Sequence, residues 1–298
     1  MRLLTTLLRH PTARLGLGLL GLIALAAVLG PALCPDPQAW LADPLQPPSW
    51  GHPFGTTGMG QDVLAQTLAG ARPTLLVGFV TGALVVGVGA LIGGAAGYLG
   101  GKADEALSLL INVSLVMPGL PLMVVLAAFL PPGLLSMTVV MVLTGWAWTA
   151  RVLRAQVLSL RQRDYVAAAI VAGEPGYRVL LVEILPNMAS LLASAWIGAT
   201  LYAIGAQVGL EFLGLGDLNA VSWGTNLYWA TNDAALLTGS WWTFLPTGCG
   251  VALTGFALSL VNFGLDEITS PRLAAAAGGS GPPQATPVLH LGPEAPDA

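Results

Sequence analysis

The sequence predicts an all-α, polytopic membrane protein with six transmembrane helices, and three observations lead there. Of its 298 residues, 55% are hydrophobic and only 9% charged, with a mean hydropathy of +0.75. The charges are gathered between long uncharged runs, each near or beyond the roughly 20 apolar residues that cross a hydrocarbon core of about 30 Å. Those runs are continuous, which excludes a β-barrel with its alternating segments of about ten residues.

The first run, Leu15 to Leu33, follows residues 1–14, which carry Arg2, Arg9 and Arg14. Basic residues before an apolar run also describe a cleavable secretory signal, but this run exceeds the roughly 7 to 15 residues of such a segment. It is expected to stay as the first transmembrane helix, 15–33. Cys34 would suit a lipid-modified cysteine only with a small residue before it; Leu33 stands there, so a buried thiol is expected. Residues 34–72, rich in Pro and Gly, read as an extracytoplasmic segment.

A five-helix core is expected over 73–265. Its first helix, Pro73 to Leu99, carries Gly78, Gly82, Gly89, Gly93 and Gly97 at spacings of four and seven, hence on one stripe. Small residues on a stripe let helix backbones approach closely in lipid, either within this chain or against a second subunit. The run from Ala106 to Ala150 is about twice as long as one crossing needs at ~1.5 Å per residue. Pro131, Pro132 and Gly133 supply a stop and turn near its middle. Ile184 to Leu210 and Ala234 to Leu265 complete the set. Trp223, Trp229, Trp241 and Trp242 fall near outer helix ends, where indoles suit the headgroup zone. Cys249 lies within the last helix, so neither a disulfide nor a metal site is expected. Residues 266–298 form a tail with too little apolar bulk to fold from about 274 onward.

Orientation follows from the basic residues, which favour the cytoplasmic side. With the N-terminus inside, every lysine and arginine of the eleven except Arg72 falls on inner segments. The chain is therefore expected to be N-in and C-in. The inner segments are residues 1–14, the loop around Lys102, the loop 151–183 with Arg151, Arg154, Arg161, Arg163 and Arg178, and the tail with Arg272.

No ionisable residue lies inside the uncharged runs, whereas ion-coupled carriers commonly place Asp, Glu or His near the midplane. There is no His-Glu-x-x-His, no paired intramembrane aspartates and no Gly-x-Ser-x-Gly, so no catalytic residue and no metal ligand is assigned. The chain is not expected to be an enzyme. A transporter of this composition draws its energy from another protein. The alternatives are an ATP-independent secondary carrier or channel, discriminated by transport on an ion gradient without ATP, and a structural membrane scaffold.

The place for an energy input is the long inner loop. Asp164 to Ala172 should form a short alanine-rich helix, with Asp164 at its positive end. Gly173 suits a left-handed stop, and Pro175 forbids continuation. A second short helix from about Tyr177 should reach Pro186, which fits the first turn of the next membrane helix. Tyr165, Ala168, Ala169 and Ala172 share one face, and three of them are small enough for a partner's groove to approach the backbone. An amphipathic helix lying on anionic lipid fits the arginines equally well.

This loop resembles the cytoplasmic signature of bacterial ATP-binding-cassette importer permeases, Glu-Ala-Ala, three residues, Gly, then a spacer ending in Leu-Pro. Here it reads Ala167-Ala168-Ala169, Gly173 and Leu185-Pro186-Asn187. Further segments resemble the C-type permease of dipeptide, oligopeptide and nickel importers. They are "HPFGTTGMGQDVLAQTLAGARPTLLVG" (52–78), "GYLGGKADEAL" (97–107), "ARVLRAQVLSLRQRDYV" (150–166), "FLGLG" (212–216) with "SWG" (222–224), and "SPRL" (270–273). The matches run in order over about residues 10–273.

The resemblance implies a type I importer permease fold in the cytoplasmic (inner) membrane. It implies a pairing with a homologous B-type permease, two ATPase subunits that bind ATP and Mg, an extracytoplasmic substrate-binding protein and surrounding lipid, with no cofactor in this chain and no nucleic acid partner. It assigns ATPase coupling to Asp164, Tyr165, Ala167, Ala168, Ala169, Ala172, Gly173, Leu185 and Pro186, and leaves the substrate-binding residues open. The chain departs from the pattern in several places. Ala167 replaces the usual glutamate, Thr57 an aspartate, Gln61 an arginine and Glu183 a frequent histidine; the outer loop is one residue shorter before Ser222. Glu211 stands where a small polar residue is common, and is expected to be a solvated loop charge rather than a partner for a cationic solute.

Overall fold

The computed structural model describes residues 10–269. The expectations for residues 1–9, for "SPRL" and for the tail from 270 onward lie outside the described residues.

Helix α1, Pro11–Leu33, starts before the uncharged run does, because Pro11 has the fixed φ that suits a first turn and includes Arg14 in the helix. Helix α2, Val63–Leu99, likewise begins ten residues ahead of Pro73. Asp62 caps it by accepting from the Ala65 N–H at 2.9 Å, and Pro73 sits inside the helix instead of opening it. Arg72 had hidden this beginning, since a charge ends an uncharged window without ending a helix.

The expected single helix after Ala106 is two. Helix α3, Gly101–Val116, and helix α4, Gly119–Phe129, meet at 87° across Met117 and Pro118. Pro118 forces its predecessor out of the helical region: Met117 has ψ 133°. The Pro131-Pro132-Gly133 turn stands as expected between α4 and helix α5, Leu134–Arg161. Helix α6, Asp164–Val171, is the short alanine-rich helix expected after α5. Helix α7, Gly176–Arg178, a π-helical stretch Val179–Ile184 and a 3-10 turn Pro186–Met188 then lead into helix α8, Ala189–Phe212. Helix α9, Trp223–Asn232, and helix α10, Ala235–Thr238, follow before the last helix α11, Leu245–Thr269. Among the described residues, five continuous helical stretches are long and apolar enough to cross a membrane, or six crossings if the bent pair counts as one.

Helix α2 is the spine. Its glycine stripe packs inside the chain: nearer its middle Gly78 and Gly82 meet Ile204 and Thr200 of α8, and toward its C-terminal end Gly89, Gly93 and Gly97 meet Thr149, Ala150 and the Arg154 carbonyl of α5. A methyl at Gly82 would lie 2.5 Å from Thr200 Oγ1, so this approach requires glycine. Helices α5 and α8 thus both rest on α2, with far less contact between themselves. On the other flank α1 packs against α11, where Ala13 fills the space at Gly264.

The segment between α1 and α2 is tied down along its length. Leu41 and Ala42 N–H both donate to Gly60 O, Leu45 N–H to Thr57 O, and Gly58 N–H to the Asp233 carboxylate at 3.1 Å. The tryptophans join this work. Trp223 is buried and donates from Nε1 to Thr67 O at 2.9 Å; Trp229 donates to Leu218 O and Trp242 to Thr56 O, both at 3.2 Å. Of the four expected headgroup anchors only Trp241, 52% exposed, is free to act as one; the others found backbone partners before lipid.

Candidate coupling site

The inner elbow is built by one buried residue and one stop. Val166 is fully buried among Leu153, Val157, Val179, Ile184 and Met188, plugging α6 onto α5 and onto the start of the α8 rod. Helix α6 ends in a Schellman arrangement: Gly173 N–H donates to Ile170 O at 3.0 Å and Glu174 N–H to Ala169 O at 3.1 Å, with Gly173 at φ +82°. Ala172 is its C-cap, and Pro175 opens the next helix.

Past that point the expected second short helix is not separate. The backbone continues helically from Gly176 to Phe212, straight through Pro186. Pro186 cannot donate, and the rod absorbs this by a π-turn, Leu185 N–H to Leu180 O at 2.9 Å, while the Asn187 side chain donates to Glu183 O at 2.6 Å. A proline that looks like a helix start is here an internal adjustment.

Asp164, Tyr165, Ala167, Ala168, Ala172, Gly173 and Pro186 are exposed; Leu185 is half-buried on the Val166 cluster. Ala169 turns partly inward onto that cluster, so the exposed face is Tyr165, Ala168 and Ala172 without it. Around this face stand bare apolar side chains, Ile170, Val171 at 88% and Tyr177 at 71% exposure. Arg161 lies over the Tyr98 ring at 5.8 Å, and Arg178 Nε is 3.7 Å from Glu174.

Two polar anchors escaped the sequence reading. The Arg154 guanidinium grips both Asp104 oxygens at 2.6 and 2.7 Å, fixing α3 to α5 just above the elbow, and Ser108 donates to the same carboxylate at 2.9 Å. Fifty positions separate the pair in the sequence. The second is Glu211, and here the expectation fails: the residue is buried, not solvated. Helix α8 runs on past Leu210 and carries it under α9, where Ser222 Oγ donates at 2.5 Å and Gln207 Nε2 at 2.9 Å. Ser222 also caps α9 through a capping box with Thr225, so the carboxyl sits at the positive end of that helix.

The sequence matches the family described as binding-protein-dependent transport system inner membrane component over residues 89–274, and the N-terminal TM domain of oligopeptide transport permease C over residues 2–48. It is 33% identical over 270 residues to the dipeptide transport system permease protein DppC of Bacillus subtilis (strain 168), covering 89% of this chain and 83% of that protein. It is 32% identical over 265 residues to the oligopeptide transport system permease protein OppC of the same organism, covering 88% and 86%. A third relative, OppC of Mycobacterium tuberculosis (strain CDC 1551 / Oshkosh), is 32% identical over 230 residues, 76% of this chain and 78% of that protein.

Proposed function

The chain belongs to the binding-protein-dependent transport system inner membrane components, and from that membership we propose that it is the C-type permease half of an importer for dipeptides, oligopeptides or a related small solute such as a nickel complex. Its relatives' names support the peptide reading. In this reading it is N-in and C-in, pairs with a B-type permease, receives solute from an extracytoplasmic binding protein, and is driven by two ATPase subunits that hold ATP and Mg. The chain itself carries no Gly-x-x-x-x-Gly-Lys-Ser/Thr element, and phosphoryl transfer belongs to those subunits.

The observation that carries the coupling role is the elbow's construction. Small exposed side chains at Ala168 and Ala172, ringed by bare Ile170, Val171 and Tyr177, offer a surface that an ATPase groove can cover. The same unit is plugged by Val166 to a helix that continues unbroken into the membrane. When ATP binding draws the ATPase pair together, α6 follows, and the α8 rod tilts with it. Asp164, Tyr165, Ala167, Ala168, Ala169, Ala172 and Gly173 form the docking unit; Leu185 and Pro186 belong to the transmission. Ala167 lacks the family's glutamate, which removes either a charged contact to the ATPase or a helix-start stabilisation of about 0.3 to 1 kcal/mol.

The test is Ala168→Arg in the assembled transporter. Membrane insertion should be normal and co-purification of the ATPases should fall. Undiminished co-purification, with undiminished ATP-driven uptake, would reject the docking face.

A further inference from the structure

Between α5 and α8 lies a cavity of about 470 Å³, within the roughly 300–1,000 Å³ of small-molecule sites. One wall is Thr144, Trp148, Thr149 and Val152 of α5; the other is Leu191, Ser194, Gly198 and Tyr202 of α8. Val85 of α2 lies on its floor. Its chemistry is mixed: an indole 65% exposed at Trp148 stands opposite the Tyr202 hydroxyl, which lies 3.1 Å from Thr144 Oγ1. Among the described residues, no carboxylate, ammonium, guanidinium or imidazole lines it.

We propose that this groove is a solute-contact site of the permease, taking a short peptide or a comparable amide-bearing solute through its main-chain groups and side-chain bulk, without charge recognition. The proposal rests on the importer reading above. Three observations support it. The Trp148 indole N–H and the lone pairs of the Thr144–Tyr202 hydroxyl pair offer hydrogen bonds that an acyl chain has no use for, whereas amides do; the Ser194 hydroxyl is already engaged by Asp266. The absence of a fixed charge keeps affinity modest, and a transport pathway needs sites weak enough to leave. Finally, the two walls are the helices that the elbow joins: α5 enters it at Arg161 and the α8 rod leaves it at Gly176. Since both walls rest on α2 with little direct contact between them, a pull on the elbow changes the width of the groove itself.

Gly198 supplies the test, because a Cβ there meets nothing within 4 Å. With Cys34 and Cys249 replaced by serine, Gly198→Cys is assembled with its partner permease, ATPases and binding protein in proteoliposomes. We expect a water-soluble maleimide to react and a saturating mixture of dialanine and trialanine to slow that reaction. The labelled complex should lose uptake about tenfold while keeping its binding-protein-stimulated ATP hydrolysis. Reaction only with a lipid-soluble maleimide would make this a lipid face and overturn the proposal. Protection in the full complex with reaction in the isolated chain would assign the groove to the partner permease, and full uptake after labelling would also overturn it. If the unlabelled complex shows no ATP-dependent uptake of either peptide, the peptide reading fails, separately from any labelling result. Tyr202→Phe, which keeps the shape, should raise the KM for uptake with little change in kcat.

Discussion

Val166 and Gly173 decide the elbow, one by what it fills and the other by how it bends. Burying a valine stabilises by roughly 1.5 to 3 kcal/mol, and in a two-turn helix that can scarcely hold itself this attachment governs whether α6 sits on the rod at all. Val166→Ala should leave the ATPases bound yet lower uptake per ATP hydrolysed, measured as the ratio of the two rates. Gly173→Val places a β-branched residue at positive φ and should abolish both uptake and stimulation of ATP hydrolysis by the binding protein. Asp233 gives a residue-scale test on the opposite side. Its burial raises the carboxyl's pKa, partly offset by the Gly58 N–H. A raised folded-state pKa means the folded protein binds the proton more tightly than the unfolded chain, so this group's contribution to stability declines as pH rises through the carboxylate range. Asp233→Asn should remove that slope, visible as a difference between variant and parent melting temperatures that grows with pH.

Elements show where reading a sequence by charge succeeds and where it does not. The turn at Pro131, Pro132 and Gly133, the stop at Gly173 and the apolar runs were all legible, because each is fixed by local chemistry. The starts of α1 and α2 were not, since Arg14 and Arg72 lie inside helices whose ends are set by Pro11 and by the Asp62 cap. Pro118 lies inside an apolar run where nothing marks it as a break, yet it bends the chain by 87°. Pro186 has the local look of a helix start, because the π-turn that accommodates it depends on Asn187 and on packing. Glu211 is hidden for a related reason: one residue beyond an uncharged window looks like a loop until α9 folds over it. Two predictions belong here. Glu211→Gln retains partners for Ser222 and Gln207 and should keep most uptake, while Glu211→Leu strands buried donors at about 1 to 3 kcal/mol and should lower the amount of assembled complex. Asp104→Asn should likewise loosen α3 from α5, increasing protease cleavage around Lys102, and partial recovery by a second change at Arg154 would confirm the pairing.

At the scale of the molecule, α2 organises the rest: glycine contacts hold α8 near the middle of α2 and α5 toward its C-terminal end. The two elements that frame the groove are therefore pivoted at different depths. Gly82→Leu should separate α8 from α2 and prevent stable assembly, detectable as loss of the partner permease on purification. The unbroken helix from Gly176 to Phe212 counts 37 residues, about 55 Å at 1.5 Å per residue, well over the roughly 30 Å of hydrocarbon it crosses. In the proposed coupling such a beam would work like an oar in its rowlock. A rotation of only ~5° about its middle would sweep each end through roughly 2 Å for a beam of that length, and Glu211, at the blade end and bonded to Ser222, would carry α9 along with the stroke.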